Sequence, residues 1–104
     1  MARLDALLAS ETLYLEPALT LSRLARRLKM PAKPLSSAVN RATGDNVSRY
    51  INRYRIMHAC DRLKAGDNVT AAMLASGFNT KSNFNREFAR VTDKSPTAWL
   101  KEEA

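Results

Sequence analysis

Apolar residues recur along this chain at the three-and-four spacing of helices from one end to the other. Leu4, Leu7, Leu8 and Leu15 share one helix face, which Pro17 interrupts. Thr20 caps a second helix, in which Leu21, Leu24, Ala25 and Leu28 form a buried stripe. Met30, Pro31 and Pro34 mark a break and a restart; proline is tolerated in a first helical turn, where its missing N–H would have no partner. Leu35, Ala38, Val39 and Ala42 make the inward stripe of a third helix, and Gly44 ends it. Asn46 caps a longer fourth helix reaching about Ala65, with Val47, Tyr50, Ile51, Tyr54, Met57 and Leu63 as its apolar positions. Gly66 ends that helix. Asn68 starts a short fifth with Val69, Ala72, Met73 and Ala75, closed by Gly77. Thr80 caps a sixth with Phe84, Phe88 and Val91 on one face, and Ser95-Pro96 opens a last one carrying Trp99 and Leu100. No segment keeps the apolar–polar alternation of a strand. The pattern predicts an all-α fold of seven helices in a single domain over residues 1–104.

The two halves of the pattern match each other. Leu21, Leu24 and Ala25 correspond to Val69, Ala72 and Met73, each 48 positions further on. One extra residue near Asn79 makes the offset 49 from there. Leu35 then meets Phe84, Val39 meets Phe88, Arg41 meets Arg90, Thr43 meets Thr92, Asn46 meets Ser95 and Tyr50 meets Trp99. Two helical stretches match weakly through the shared 3.6 period alone. That period does not require matching caps and breaks, so the match points to a true repeat. The repeated unit is a short helix, a tight turn, a helix of about three turns and a capped supporting helix, which is a helix-turn-helix with its support. In the second copy Gly77 stands where a left-handed backbone is wanted, followed by Phe78. Lys29 stands there in the first copy, where a non-glycine residue costs about 1 kcal/mol.

Composition narrows the function. The chain has 104 residues, 45% hydrophobic and 26% charged, and a formal charge of +7. Eleven basic and two acidic residues, Asp45 and Asp61, lie between Leu21 and Lys64. Such a basic small domain suits a polyanionic partner, either nucleic acid or an anionic membrane. A single cysteine excludes a disulfide framework and a multi-cysteine metal site. The longest apolar runs are too short to span a bilayer. Met1 to Ser10 carry Asp5 and lack the apolar run of a leader, so a cytoplasmic location is expected. His58 and Cys60 are two apart, which puts them on different helix faces, and no nucleophile–base–orienter set is present. The expectation is no enzyme, no metal and no cofactor. Cys60 reads as a small core residue; Met30, Met57 and Met73 read as core filler, and Tyr50, Tyr54 and Trp99 as packing residues.

Several blocks together resemble the DNA-binding domain of the AraC/XylS family of transcriptional regulators. They are Leu19-Thr20-Leu21-x-x-Leu24-Ala25-x-x-Leu28, Leu35-Ser36 with Thr43-Gly44, and Tyr50-Ile51-Asn52-x-x-Arg55-Ile56-x-x-Ala59. Ala75-x-Gly77-Phe78-Asn79-x-x-Ser82-Asn83-Phe84-Asn85-Arg86-x-Phe88 and Ser95-Pro96-x-x-Trp99 complete the set. The resemblance covers about Leu19 to Leu100. The chain departs from the family pattern at Lys29, Pro31, Pro34, Ala72-Met73 and Asp93, the last in place of a glycine. The resemblance implies two helix-turn-helix units, about 19–44 and 68–93, joined by a linking helix at about 46–65 and followed by a C-terminal helix at about 95–102. It implies sequence-specific binding to double-stranded promoter DNA, and it leaves RNA polymerase as a candidate second partner. Nothing here resembles the sensor or dimerisation domain that family members often carry. A free-standing regulator and the C-terminal piece of a larger one both remain open.

The linking helix, Val47 to Lys64, would be ~27 Å long at ~1.5 Å per residue. Successive major-groove segments on one face of DNA lie ~34 Å apart. A rod of this length allows two recognition helices to enter adjacent grooves of an asymmetric site. In the first unit the apolar stripe leaves Lys33, Ser36, Ser37 and Asn40 as base-contact candidates, of which the family positions favour the first three. In the second, Lys81, Ser82, Asn85 and Arg86 are free of the stripe and match the family's contact positions. Phosphate candidates are Arg41, Arg49, Arg53 and Lys94, with backbone N–H groups at helix starts such as Thr80 and Thr20. The rival reading is a basic helical protein-interaction module or an anionic-membrane-surface protein. Both account for charge and helices; neither accounts for the repeated turn–helix–cap unit.

Overall fold

The computed structural model describes residues 2–103; Met1 and Ala104, the ends of the expected domain, lie outside the described residues. Among the described residues the chain is all-helical, with seven α-helices and no strand. These are α1 (Ala2–Glu11), α2 (Leu21–Leu28), α3 (Ala32–Thr43), α4 (Val47–Lys64), α5 (Val69–Ala75), α6 (Lys81–Thr92) and α7 (Pro96–Glu103), with a 3-10 turn at Leu13–Leu15.

The helix starts follow from side-chain caps. Thr20 Oγ1 accepts the Arg23 N–H at 3.2 Å, Asn46 Oδ1 that of Arg49 at 2.8 Å, and Asn68 Oδ1 that of Ala71 at 2.8 Å. Thr80 Oγ1 and Ser95 Oγ do the same for Asn83 and Ala98, at 3.3 and 3.1 Å. Each satisfies one of the orphan donors of a first turn, worth about 1 kcal/mol. Only α3 among these starts without a side-chain cap: Pro31 precedes it at φ −63°, ψ 147°. Pro34 compensates in the first turn of α3, where its missing N–H deprives no carbonyl of a donor.

The chain divides into two compact units, one reaching to Ile51 and the other beginning at Asn52, so that the boundary falls within α4. In the first unit the buried apolar residues are Leu4, Leu8, Leu24, Ala25, Leu28, Leu35, Val39, Val47, Tyr50 and Ile51. The stripe expected on α3 is buried at Leu35 and Val39, half-buried at Ala38 and exposed at Ala42. Ala42 lies in the last turn of a 12-residue helix packed on the 8-residue α2, so cover runs out before it.

In the second unit Ile56, Ala59, Leu63, Ala72, Met73, Phe78, Phe84 and Phe88 form one core, against which Cys60, Val69, Val91, Trp99 and Leu100 pack. Phe78 and Phe84 meet edge-on at 5.2 Å, as do Phe88 and Trp99 at 6.0 Å, the preferred geometry of aromatic pairs. Met57 overturns its expected core place, at 58% exposure. Val47, Tyr50 and Ile51 of α4 serve the first unit, whereas Ile56, Ala59 and Leu63 serve the second. The apolar positions of α4 therefore make two stripes, and Met57 belongs to neither. Ala75, expected on the apolar face of α5, is exposed as well; Ala72 and Met73 alone are buried on that seven-residue helix.

Candidate nucleic-acid interface

The turn between the two helices of each motif is built the same way twice. In the first unit the Lys29 N–H donates to the Arg26 carbonyl at 3.2 Å and the Met30 N–H to that of Ala25 at 3.1 Å. In the second, Gly77 donates to Leu74 at 3.3 Å and Phe78 to Met73 at 3.2 Å. This pair of bonds is the Schellman closure of a helix, which needs one left-handed residue. Lys29 supplies it at φ 56° and Gly77 at φ 91°. The backbone thus repeats at the offset read from the sequence, although glycine is present in only one copy.

The far ends of the two recognition helices, α3 and α6, repeat too. Thr43 Oγ1 donates to the Val39 carbonyl at 2.7 Å and accepts the Asp45 N–H at 3.1 Å. Thr92 Oγ1 donates to the Phe88 carbonyl at 2.8 Å and accepts the Lys94 N–H at 3.3 Å. Gly44 and Asp93 then adopt left-handed φ of 77° and 64° and donate to the carbonyls of Asn40 and Ala89, both at 2.8 Å. The two hydroxyls lock the exit from each recognition helix into one path.

On α3, Lys33, Ser37, Asn40 and Arg41 are exposed and Ser36 is half-buried. Ser36, Ser37, Asn40 and Arg41 line one open concavity, so four expected contact residues share a surface. On α6, Lys81, Ser82, Asn85 and Arg86 are exposed, as is Thr80 before them. Lys81 and Asn85 line a concavity with Val69 and Thr70 of α5 and Ser95, Pro96 and Thr97 at the start of α7. Arg86 is preset: its Nη2 donates to Asn83 Oδ1 at 2.6 Å. Arg49 and Arg53 are exposed on α4. Lys94 is half-buried and ion-paired with Glu102.

A buried polar network beneath α6 escaped the sequence reading. Asn52 Nδ2 donates to Glu87 Oε1 at 2.8 Å, and Arg55 Nη1 to Asn52 Oδ1 at 3.0 Å. Arg90 Nε donates to Glu87 Oε2 at 2.9 Å, and the Arg55 guanidinium lies 5.9 Å from the Phe78 ring centroid. Asn52, Arg55 and Glu87 are all buried. Burial by itself pushes the Glu87 carboxyl up; hydrogen bonds from Arg90 and Asn52 and the charges of Arg90 and Arg86 outweigh it, and the net shift is downward. Burial also pulls the Arg55 guanidinium below its usual value. Glu87 occupies the second place of the stripe Phe84, Glu87, Phe88, Val91, and a lone acid on an inward face was the available signal. Arg90, the repeat partner of Arg41, is thereby held in the structure of the second unit.

Comparison with known proteins agrees with this geometry. A family model described as a helix-turn-helix domain matches residues 24–102. The HTH-type transcriptional activator RhaS of Pectobacterium carotovorum is 31% identical over 74 residues, covering 70% of this chain and 26% of the relative. The chain thus spans about a quarter of that relative's length. The C-terminal domain of AraT, a response regulator from Geobacillus stearothermophilus, has the same fold, with a TM-score of 0.82 at 18% identity over 97% of this chain and 83% of that one. So does the C-terminal domain of the two-component response regulator yesN from Fusobacterium nucleatum, with a TM-score of 0.79 at 19% identity over 95% of each. With a doubled helix-turn-helix turn and a family match over most of its length, this chain belongs to the AraC/XylS family of helix-turn-helix transcriptional regulators.

Proposed function

We propose that this chain binds double-stranded promoter DNA sequence-specifically and thereby regulates transcription, with α3 and α6 each entering the major groove. The observation that carries the reading is the repeated Schellman turn, which presents a polar, exposed helix face in each unit. Lys33, Ser36, Ser37 and Asn40 on α3, and Lys81, Ser82, Asn85 and Arg86 on α6, are the proposed base contacts. Lysine and arginine suit guanine O6 and N7, asparagine suits adenine, and serine is permissive. Arg41, Arg49, Arg53, Lys94 and the Thr80 N–H are the proposed phosphate contacts, which fix register and supply salt-dependent affinity. The length of α4, 18 residues or ~27 Å, supports entry into adjacent groove segments ~34 Å apart. RNA polymerase remains a candidate partner of the bound complex. We propose no catalytic role and no cofactor.

A gel-shift comparison of duplex promoter DNA, single-stranded DNA and anionic vesicles tests the reading. Duplex binding that survives excess single strand is expected. Vesicle binding without duplex binding would favour a membrane-surface role, and binding to none of the three a protein-interaction role. No helix among the described residues is long and apolar enough to cross a membrane.

A further inference from the structure

Contacts of two kinds seat α6. Phe84 and Phe88 are fully buried in the core of the second unit, and apolar burial is non-directional. The hydrogen bonds at Glu87 are directional, because such bonds weaken steeply away from a narrow range of distance and angle. Glu87 Oε1 accepts from Asn52 Nδ2 of α4 at 2.8 Å, and Glu87 Oε2 accepts from Arg90 Nε at 2.9 Å. Asn52 Oδ1 accepts in turn from Arg55 Nη1 at 3.0 Å, so both ends of the Asn52 amide are engaged. Asn52, Arg55 and Glu87 are each less than a tenth exposed. Glu87 follows Asn85 and Arg86, two of the proposed base contacts, and the charge of Arg86 acts on it. In the first copy Ala38 stands 49 positions earlier, at the place of Glu87, and its methyl group can make no such bond. This fastening therefore belongs to α6 and has no counterpart at that position of α3.

We propose that Asn52 is a positioning residue for base reading by α6: through Glu87 it fixes the rotation and axial height of the helix, and so where Asn85 and Arg86 meet base edges. This role rests on the DNA reading above and adds to it a buried residue. Paired hydrogen bonds to a base edge need their donors held to about 0.5 Å and about 10–20°. Stability alone does not call for the network, since apolar residues of similar volume in place of buried ionic groups often leave a fold as stable or more so. What apolar residues do not supply is a preferred direction.

The test compares a duplex selected from a random pool with two copies of it, one scrambled in the block read by α6 and one in the block read by α3. Selection with Arg86→Ala identifies the α6 block. Discrimination is the ratio of affinities for the selected and scrambled duplexes, from which net charge and the fraction of folded chain cancel. N52D sets a second carboxylate against Glu87 and breaks their bond. It is expected to lower discrimination at the α6 block about tenfold and at the α3 block less than about twofold. N52D/E87Q moves the carboxylate to α4 and the amide to α6, which gives each of the broken bonds a donor and an acceptor again. Discrimination at the α6 block should return to within about threefold of the wild-type chain. If N52D melts below the assay temperature, N52A, which removes both bonds of Asn52 without adding a charge, carries the test with the same expected loss. Undiminished discrimination at the α6 block in the folded single variant would overturn the proposal. Equal loss at both blocks would overturn it too, as would a double variant no better than the single one. A wild-type chain that fails to discriminate among the three duplexes would overturn the DNA reading and this role with it, whereas discrimination kept by the single variant overturns this role alone.

Discussion

Lys29, Gly77, Gly44 and Asp93 close four helices with the same left-handed backbone, and only the glycines adopt it without a Cβ penalty. Lys29→Gly and Asp93→Gly are therefore expected to raise stability by about 0.5–1 kcal/mol each, and Gly77→Ala to lower it by about 1–2 kcal/mol. Thermal melts of the three variants check this; a fall in melting temperature for Lys29→Gly would show that its turn is held by something other than backbone preference. Arg86 is the residue for which base contact is most open to direct test, because Asn83 already holds its guanidinium on the exposed side of α6. Arg86→Ala should weaken cognate duplex by about 1–3 kcal/mol and random duplex by much less. Equal losses on both, by fluorescence anisotropy, would make Arg86 a phosphate contact.

Among the elements, α6 has a seat that depends on charge. Glu87 ties it to Asn52 of α4, which in turn accepts from Arg55, while Glu87 also bonds Arg90 along the helix. Because the folded Glu87 pKa lies below the unfolded value of about 4.3, its contribution is fully present above that pH and is lost as pH falls through the folded value. Glu87→Gln should flatten the acid limb of a stability–pH curve; an unchanged limb would place the acid sensitivity elsewhere. Glu87→Ala leaves the Asn52 amide without this buried acceptor and is expected to cost about 1–3 kcal/mol in urea melts. The helices themselves were readable because caps are local: Thr20, Asn46, Asn68, Thr80 and Ser95 each act three residues ahead. Met57 and Ala42 were misread because burial depends on what lies opposite, which periodicity along one helix does not encode. Glu87 was missed for the related reason that its partner Asn52 lies 35 residues away in the chain. The contact residues proposed on α3 and α6 follow by subtraction from the apolar stripes, and they are exposed apart from the half-buried Ser36.

For the whole molecule, the formal charge of +7 and four cationic phosphate candidates set the scale of salt dependence. With Arg41, Arg49, Arg53 and Lys94 each neutralising a phosphate, a log–log plot of affinity against salt should fall with a slope of about −3 to −4. Lys94 is already paired with Glu102, so Lys94→Ala should change that slope by less than the ~0.9 that one neutralised phosphate contributes. The central claim is that two unlike recognition helices read two stretches of one site. Selecting bound duplexes from a random pool tests it most directly. The account predicts two unlike conserved blocks centred about 10 base pairs apart, the distal one losing its definition when the selection is repeated with the α6 variant Arg86→Ala. A single block, unchanged by substitutions in one of the two helices, would contradict it.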